Sequence, residues 1–341
     1  MRPAQSMVQQ PLVIAHRGAS GYRPEHTLAS YRLAIALGAD YVEPDLVSTK
    51  DGVLVARHEA EISRTTNVGR RGEFADRLTT KEIDGRAVSG WFVEDFTLAE
   101  LKTLRAVERL PEVRPQNTRF DGRYDIPTFE EILGLVTAES ERLGREIGVY
   151  PETKHPSYFD SIGLALEEPL LDTLAVHGYG GPEAPVFIQS FEPANLQWLR
   201  SRTGLPLVQL VEATGPSRQL SDLVTSTGLR RVARWADAVG VAKDLVLPRH
   251  PGVGTIGDPS SLVDDAHAVG LQVHVWTMRD ENVFLPTGYR RGESPSDPGD
   301  SIEETQAFLD AGVDGLFTDQ PDTTLEARRL HASGIRIQAA M

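Results

Sequence analysis

Glu43 and Asp45 stand two apart in the apolar run YVEPDLV, residues 41–47. Side chains on a strand alternate faces, so both carboxylates leave the same face. Two inward acids repel each other and are expensive to bury unless a cation shares them. Pro44 between them offers no N–H, which suits the frayed end of a strand. An acid pair of this kind also fits a solvated strand end. Glu152, in YPETKH, ends the next barrel-type run and adds a third carboxylate from an adjacent strand end. Such oxygen cages take hard cations, Ca2+ or Mg2+. Zinc favours nitrogen and sulfur, and the chain has no cysteine. Lys154, two residues further, supplies an ammonium for an anion shared with the metal, or a salt bridge to Glu152.

His16 ends LVIAH (12–16), and His58 ends VLVARH (53–58). Both fall at strand ends expected to face one mouth. An imidazole titrates near pH 6.5, so the pair suits acid–base work on a metal-bound anion. Arg17 adds a planar, permanently charged fork suited to phosphate. The small residues of HRGAS let the backbone turn sharply, and Pro24 and Glu25 restart the chain toward a helix. The other histidines, His155, His177, His250 and His274 among them, read as structural or surface groups.

These residues need a scaffold that gathers strand ends. Eight short apolar runs recur: 12–16, 41–47, 147–153, 186–191, 206–212, 238–244, 271–277 and 315–319. Helical patterns such as HTLASYRLAIALGA, PANLQWLRSRTG and ETQAFLDAG lie between most of them, closing on glycine. Strands alternating with helices predict an α/β fold, a (β/α)8 TIM barrel, as one domain over residues 1–341. The rhythm breaks at 62–124, a polar stretch rich in Arg, Asp and Gly. It reads as a subdomain inserted after the second strand, on the face where barrel substrates bind. Residues 286–300 form a Pro/Gly/Ser-rich loop after the seventh strand, and the tail from His331 shows no strong pattern.

The chain has 341 residues, a formal net charge of −14 and 40% hydrophobic residues. That charge disfavours nucleic acid and anionic membranes as partners, and no apolar run approaches the ~20 residues of a membrane span. The first residues lack the apolar core of a signal peptide. The expectation is a cytoplasmic protein, or an extracytoplasmic one if a leader has been removed. A monomer or homodimer is expected.

The motifs HRGASGYRPEHT, GADYVEPDLVSTKDGVLVARHE, IPTFEEIL, YPETK, QSF and GLFTDQPD together resemble the glycerophosphodiester phosphodiesterase family, its bacterial extracytoplasmic branch in particular. The resemblance implies a TIM barrel with an insertion after the second strand. It implies Glu43, Asp45 and Glu152 as metal ligands, His16 and His58 as the catalytic pair, and Arg17 and Lys154 as phosphate-binding cations. Gln189, Phe191 and Trp276 match positions lining the alcohol pocket. Glu59 stands where the family usually has Asp, and Asn282 comes later than the usual Asn.

The expected reaction is metal-dependent hydrolysis of glycerophosphodiesters to sn-glycerol 3-phosphate and an alcohol through a cyclic phosphate. The runner-up is a lysophospholipase D acting on diesters that keep an acyl chain. Trp91, Phe92 and Phe96 would line its channel or, alternatively, form a small subdomain core. A non-catalytic binding protein for the same ligands is the third reading, and the intact histidine pair argues against it.

Overall fold

All eight apolar runs form parallel strands. The computed structural model describes residues 10–212, 222–250 and 254–336. The strands are Leu12–His16, then Tyr41–Glu43 continued by Asp45–Ser48, and Gly148–Val149 continued by Glu152–Thr153. Ile188–Ser190, Leu207–Val211, Ala238–Ala242, Gln272–Met278 and Gly315–Thr318 complete the set. The last strand pairs back onto Leu12–His16. The second and third strands close the ring in two halves. Their first halves hang from Leu12–His16, and their second halves pair with each other and with Ile188–Ser190.

Each break falls at a proline, Pro44 or Pro151. Neither can donate to the ladder, but both accept: Glu152 N–H donates to the Pro44 carbonyl and Gln189 N–H to that of Pro151, each at 2.9 Å. Pro44 therefore creases the middle of a strand; it does not mark the frayed end expected from the sequence. The strand runs on because Asp45–Ser48 gains a second partner, the antiparallel segment Leu54–Ala56.

The helices follow local rules. In the first, Leu28–Leu37, the Thr27 hydroxyl caps the Ser30 N–H, and Gly38 ends it at φ 107. Thr128 and Glu131 form a capping box at the start of Phe129–Leu143, which explains the TFEE spelling. Its buried Phe129, Ile132, Leu133 and Val136 face the barrel's outer wall. Inside the barrel Ile14, Tyr150, Val208, Ala238 and Phe317 form a separate plug. His274 joins it, its Nδ1 2.6 Å from the Tyr150 hydroxyl, as expected for a structural histidine.

Residues 62–124 hold the two-stranded hairpin Thr79–Ile83 and Arg86–Gly90 among short helical turns. Asp84 and Gly85 turn it with φ 49 and 72. Phe92 and Phe96 are fully buried, and Phe96 meets Phe74 edge-on at 5.0 Å between centroids. Trp91 donates its indole N–H to the Phe74 carbonyl. Phe74, Phe92 and Phe96 belong to the same buried cluster as the barrel's outer layer, and Trp91 packs against it, the core arrangement of the two expected. Beyond the seventh strand, the Asn282 amide donates to the Arg291 and Ser294 carbonyls and pins the 286–300 loop.

Candidate active site

Strand register builds the site. His16 lies opposite Glu43, and Asp45 lies opposite Glu152, which lies opposite Gln189. The creased strands thus bring Glu43, Asp45 and Glu152 together, each with one carboxylate oxygen within 4.8 Å of the others. All three are buried.

Neighbours hold each acid. Glu43 accepts from the Arg17 backbone N–H at 2.8 Å and from the Gln189 amide at 3.0 Å. Asp45 meets His26 Nε2 at 2.8 Å and Arg17 Nε at 3.3 Å. Glu152 pairs with Lys154 at 2.8 Å, and Lys154 lies 3.9 Å from Asp45. The salt bridge and the cavity-lining position of Lys154 coexist.

Burial and then repulsion by Asp45 and Glu152 push the Glu43 carboxyl well up. Burial pushes Glu152 up to about 8, against the pull of Lys154. Asp45 is buried too, but Lys154, His58 and His26 hold it well below the usual carboxylate range. Among the described residues the Gln189 side-chain carbonyl oxygen is buried without a hydrogen-bond partner. Three buried acids whose oxygens converge, two of them pushed up by burial, form an all-oxygen donor set compatible with a hard cation.

The two histidines share one arrangement. His16 Nδ1 lies 2.6 Å from Asp319, and His58 Nδ1 lies 2.5 Å from Glu59. Burial, then Arg17, push His16 down to about 4. Burial, Arg17 and Lys154 push His58 down to about 3. Both rings are neutral near pH 7. Against an ionised carboxylate the Nδ1 carries the proton, which leaves the Nε2 lone pair for the cavity that both rings line.

That cavity, about 1590 Å3, also takes in Arg17, Lys154 and Gln189. Phe191 and Trp276 stand edge to face on its wall, 6.1 Å between centroids, with the Lys154 ammonium 5.6 Å from the Phe191 ring. Gln189 differs from those two: it reaches inward to Glu43 and stands in the carboxylate ring. The inserted segment contributes Ile83, Asp84, Arg86 and Val88 to the wall. Sequence reasoning missed Asp319, His26 and Arg109. His26 is one of the histidines read as structural or surface groups; it is structural, fully buried between Asp45 and Tyr31, and its contact with the acid was not foreseen. The glutamate at position 59, unusual in spelling, is the partner of His58.

The family model for the glycerophosphoryl diester phosphodiesterase family matches residues 16–323. The chain belongs to that family. It is 33% identical over 327 residues to glycerophosphodiester phosphodiesterase GDPD6 of Arabidopsis thaliana, covering 91% of this chain and 84% of the relative. Identity to the glycerophosphodiester phosphodiesterase of Bacillus subtilis is 31% over 317 residues, with the same two coverages of 91% and 84%. Among solved structures, an Oleispira antarctica phosphodiesterase in complex with the product sn-glycerol-3-phosphate aligns with a TM-score of 0.61 at 22% identity, covering 93% of this chain and 96% of that one. The glycerophosphodiester phosphodiesterase from Agrobacterium tumefaciens aligns with a TM-score of 0.58 at 19% identity, covering 93% and 99%. These structures share the TIM-barrel fold. As a family member the protein is an enzyme, a glycerophosphodiester phosphodiesterase, and the acidic cluster at its mouth is compatible with a metal site.

Proposed function

We propose that the barrel mouth hydrolyses glycerophosphodiesters, such as glycerophosphocholine and glycerophosphoethanolamine, to sn-glycerol 3-phosphate and an alcohol. His16 and His58 are the acid–base pair, and Glu43, Asp45 and Glu152 hold one divalent cation, Ca2+ or Mg2+. One observation carries this reading: two imidazoles, each backed by a carboxylate, line a single cavity with three clustered acids, Arg17 and Lys154.

A cation held there would act as a Lewis acid toward the phosphoryl oxygens. Arg17 and Lys154 place fixed positive charge beside the same oxygens. One neutral imidazole accepts the proton of the glycerol 2-hydroxyl at Nε2. The hydroxyl oxygen bonds to phosphorus, the bond to the alcohol oxygen breaks, and the other imidazole, protonated, gives its proton to that oxygen. Water then opens the cyclic phosphate with the two roles reversed. A bound phosphate anion offsets the Arg17 charge that helps hold both rings down, which favours the protonated partner in the complex. Residues 62–124 act here as a subdomain inserted in a single barrel unit, walling one side of the substrate cavity.

His16→Ala and His58→Ala are each expected to lower turnover of glycerophosphocholine by roughly 10²–10⁴. Near-full turnover by either variant removes the acid–base reading. Exhaustive chelation should abolish turnover, and Ca2+ or Mg2+ should restore it. Full activity in a protein shown to be metal-free removes the three-carboxylate cage. The cavity, about 1590 Å3, also has room for a diester that keeps its acyl chain. Faster turnover of lysophosphatidylcholine than of glycerophosphocholine would favour that second reading.

A further inference from the structure

Behind each histidine stands a carboxylate, and behind each carboxylate stands an arginine from the inserted segment. Arg109 grips Glu59 with both terminal nitrogens, Nη1 to Oε1 at 2.9 Å and Nη2 to Oε2 at 2.6 Å. The same guanidinium donates to both oxygens of Glu25, at 2.6 and 2.7 Å, and Glu25 in turn accepts from Arg17 at 3.1 Å. Arg114, five residues on, donates to the Asp319 oxygen not used by His16, at 2.6 Å. It also pairs with Glu281 and donates to the Ser20 carbonyl at 3.1 Å. The stretch from 109 to 114 therefore reaches both histidines through one intermediary each.

We propose that Arg109 and Arg114 are positioning residues, so that the inserted segment holds the two acid–base imidazoles in working orientation. The inference rests on the reading that His16 and His58 perform the acid–base chemistry.

Glu59 shows why a clamp is needed. Its side chain is 38% exposed, and among the described residues its hydrogen bonds go only to His58 and Arg109. A glutamate has three rotatable bonds, so without Arg109 it would leave the geometry that fixes His58. Two parallel N–H···O bonds set both its distance and its plane. Asp319 is less dependent on its clamp, because Arg279 also donates to it at 2.8 Å. Arg109 is therefore the more consequential of the two. Its second grip, on Glu25, ties the placement of the Arg17 guanidinium to that of His58. A lysine can supply the charge but not the fork.

The test is a double-mutant cycle on the full chain, with kcat and KM measured on glycerophosphocholine at saturating divalent ion and folding checked by circular dichroism. Arg109→Gln is expected to lower kcat by about 10–100-fold, with a smaller change in KM. Arg109→Lys should not restore the loss. In the Glu59→Gln background, Arg109→Gln should cost clearly less kcat than it does alone, because the path to His58 is already cut and only the route through Glu25 to Arg17 is left to lose. If Arg109→Gln alone does not fold, the Glu59→Gln/Arg109→Gln double variant carries the test, and its kcat should fall below that of Glu59→Gln by less than about 10-fold. Arg114→Gln should lower kcat by less than Arg109→Gln does.

An unchanged kcat in Arg109→Gln overturns the proposal, as does a full, additive loss in the Glu59→Gln background. The His58→Ala control separates the two levels. If His58→Ala stays active, the acid–base reading itself fails. If His58→Ala is inactive while Arg109→Gln keeps full turnover, only the positioning role is lost.

Discussion

His26 Nε2 lies 2.8 Å from Asp45 Oδ2, and neither side chain is open to solvent. The Tyr31 hydroxyl lies 2.7 Å from the other ring nitrogen of His26. Burial pushes the His26 imidazole below its ordinary value, against the pull of Asp45. If Tyr31 O–H donates to Nδ1, then Nε2–H must donate to Asp45, so a tyrosine on the first helix fixes the tautomer that orients an acid of the proposed cage. Tyr31→Phe keeps the volume and removes the donor. We expect divalent-ion affinity to fall about 10-fold by calorimetry, with turnover at saturating ion largely retained. An unchanged affinity would show that Tyr31 serves packing alone.

Gly18 follows Arg17 in the turn after the first strand, and both take positive φ, 84 and 59. A Cβ at Gly18 would stand 2.5 Å from the Ser30 hydroxyl oxygen and 2.7 Å from its carbonyl carbon. Left-handed strain and a clash with backbone combine. Gly18→Ala should cost about 1–3 kcal/mol in denaturant unfolding and lower turnover by displacing Arg17. A variant with both properties intact would show that the turn can relax.

Glu108 lies beneath Arg109, its oxygens accepting from the Leu110 N–H and the Asn117 amide. Burial pushes its carboxyl up to about 7. The folded state thus binds this proton more tightly than the unfolded chain. The resulting stability is fully present below the ordinary carboxyl pKa near 4.5 and is lost as pH rises through about 7. Glu108→Gln should flatten the pH dependence of stability in that window, by up to roughly 3 kcal/mol. Denaturant midpoints at pH 5 and pH 8 measure it. An unaltered pH dependence would show that Glu108 titrates normally.

Phe92 is fully buried in the cluster that joins the inserted segment to the barrel. Phe92→Ala should cost about 3–5 kcal/mol in stability. It should leave the ratio of activities on lysophosphatidylcholine and glycerophosphocholine unchanged. A shift in that ratio without loss of stability would place Phe92 on a substrate path after all.

The parts of the site that were legible in the sequence follow local periodicity. Glu43 and Asp45 share a face because strands alternate, and His16 and Glu152 end the apolar runs that flank theirs in a barrel. Asp319 lies within GLFTDQPD, but nothing local ties it to His16, 303 residues away. The arginine clamps at 109 and 114 are similarly silent, since a polar stretch rich in Arg and Asp reads as solvated surface until tertiary structure buries it. The Asp84–Gly85 pair was a readable hairpin signal, and the polar flanking strands concealed it. His26 was hidden for the opposite reason: it sits in a turn, at φ 53, where no periodicity reveals which way a ring points.

Pro44 and Pro151 remove two amide donors from adjacent staves at the level where the three acids meet. The barrel wall is therefore folded at the level of its acidic cluster, while the other six staves form continuous strands. Glu43 and Asp45 leave the wall on the two sides of that fold, and Glu152 meets them from the next stave.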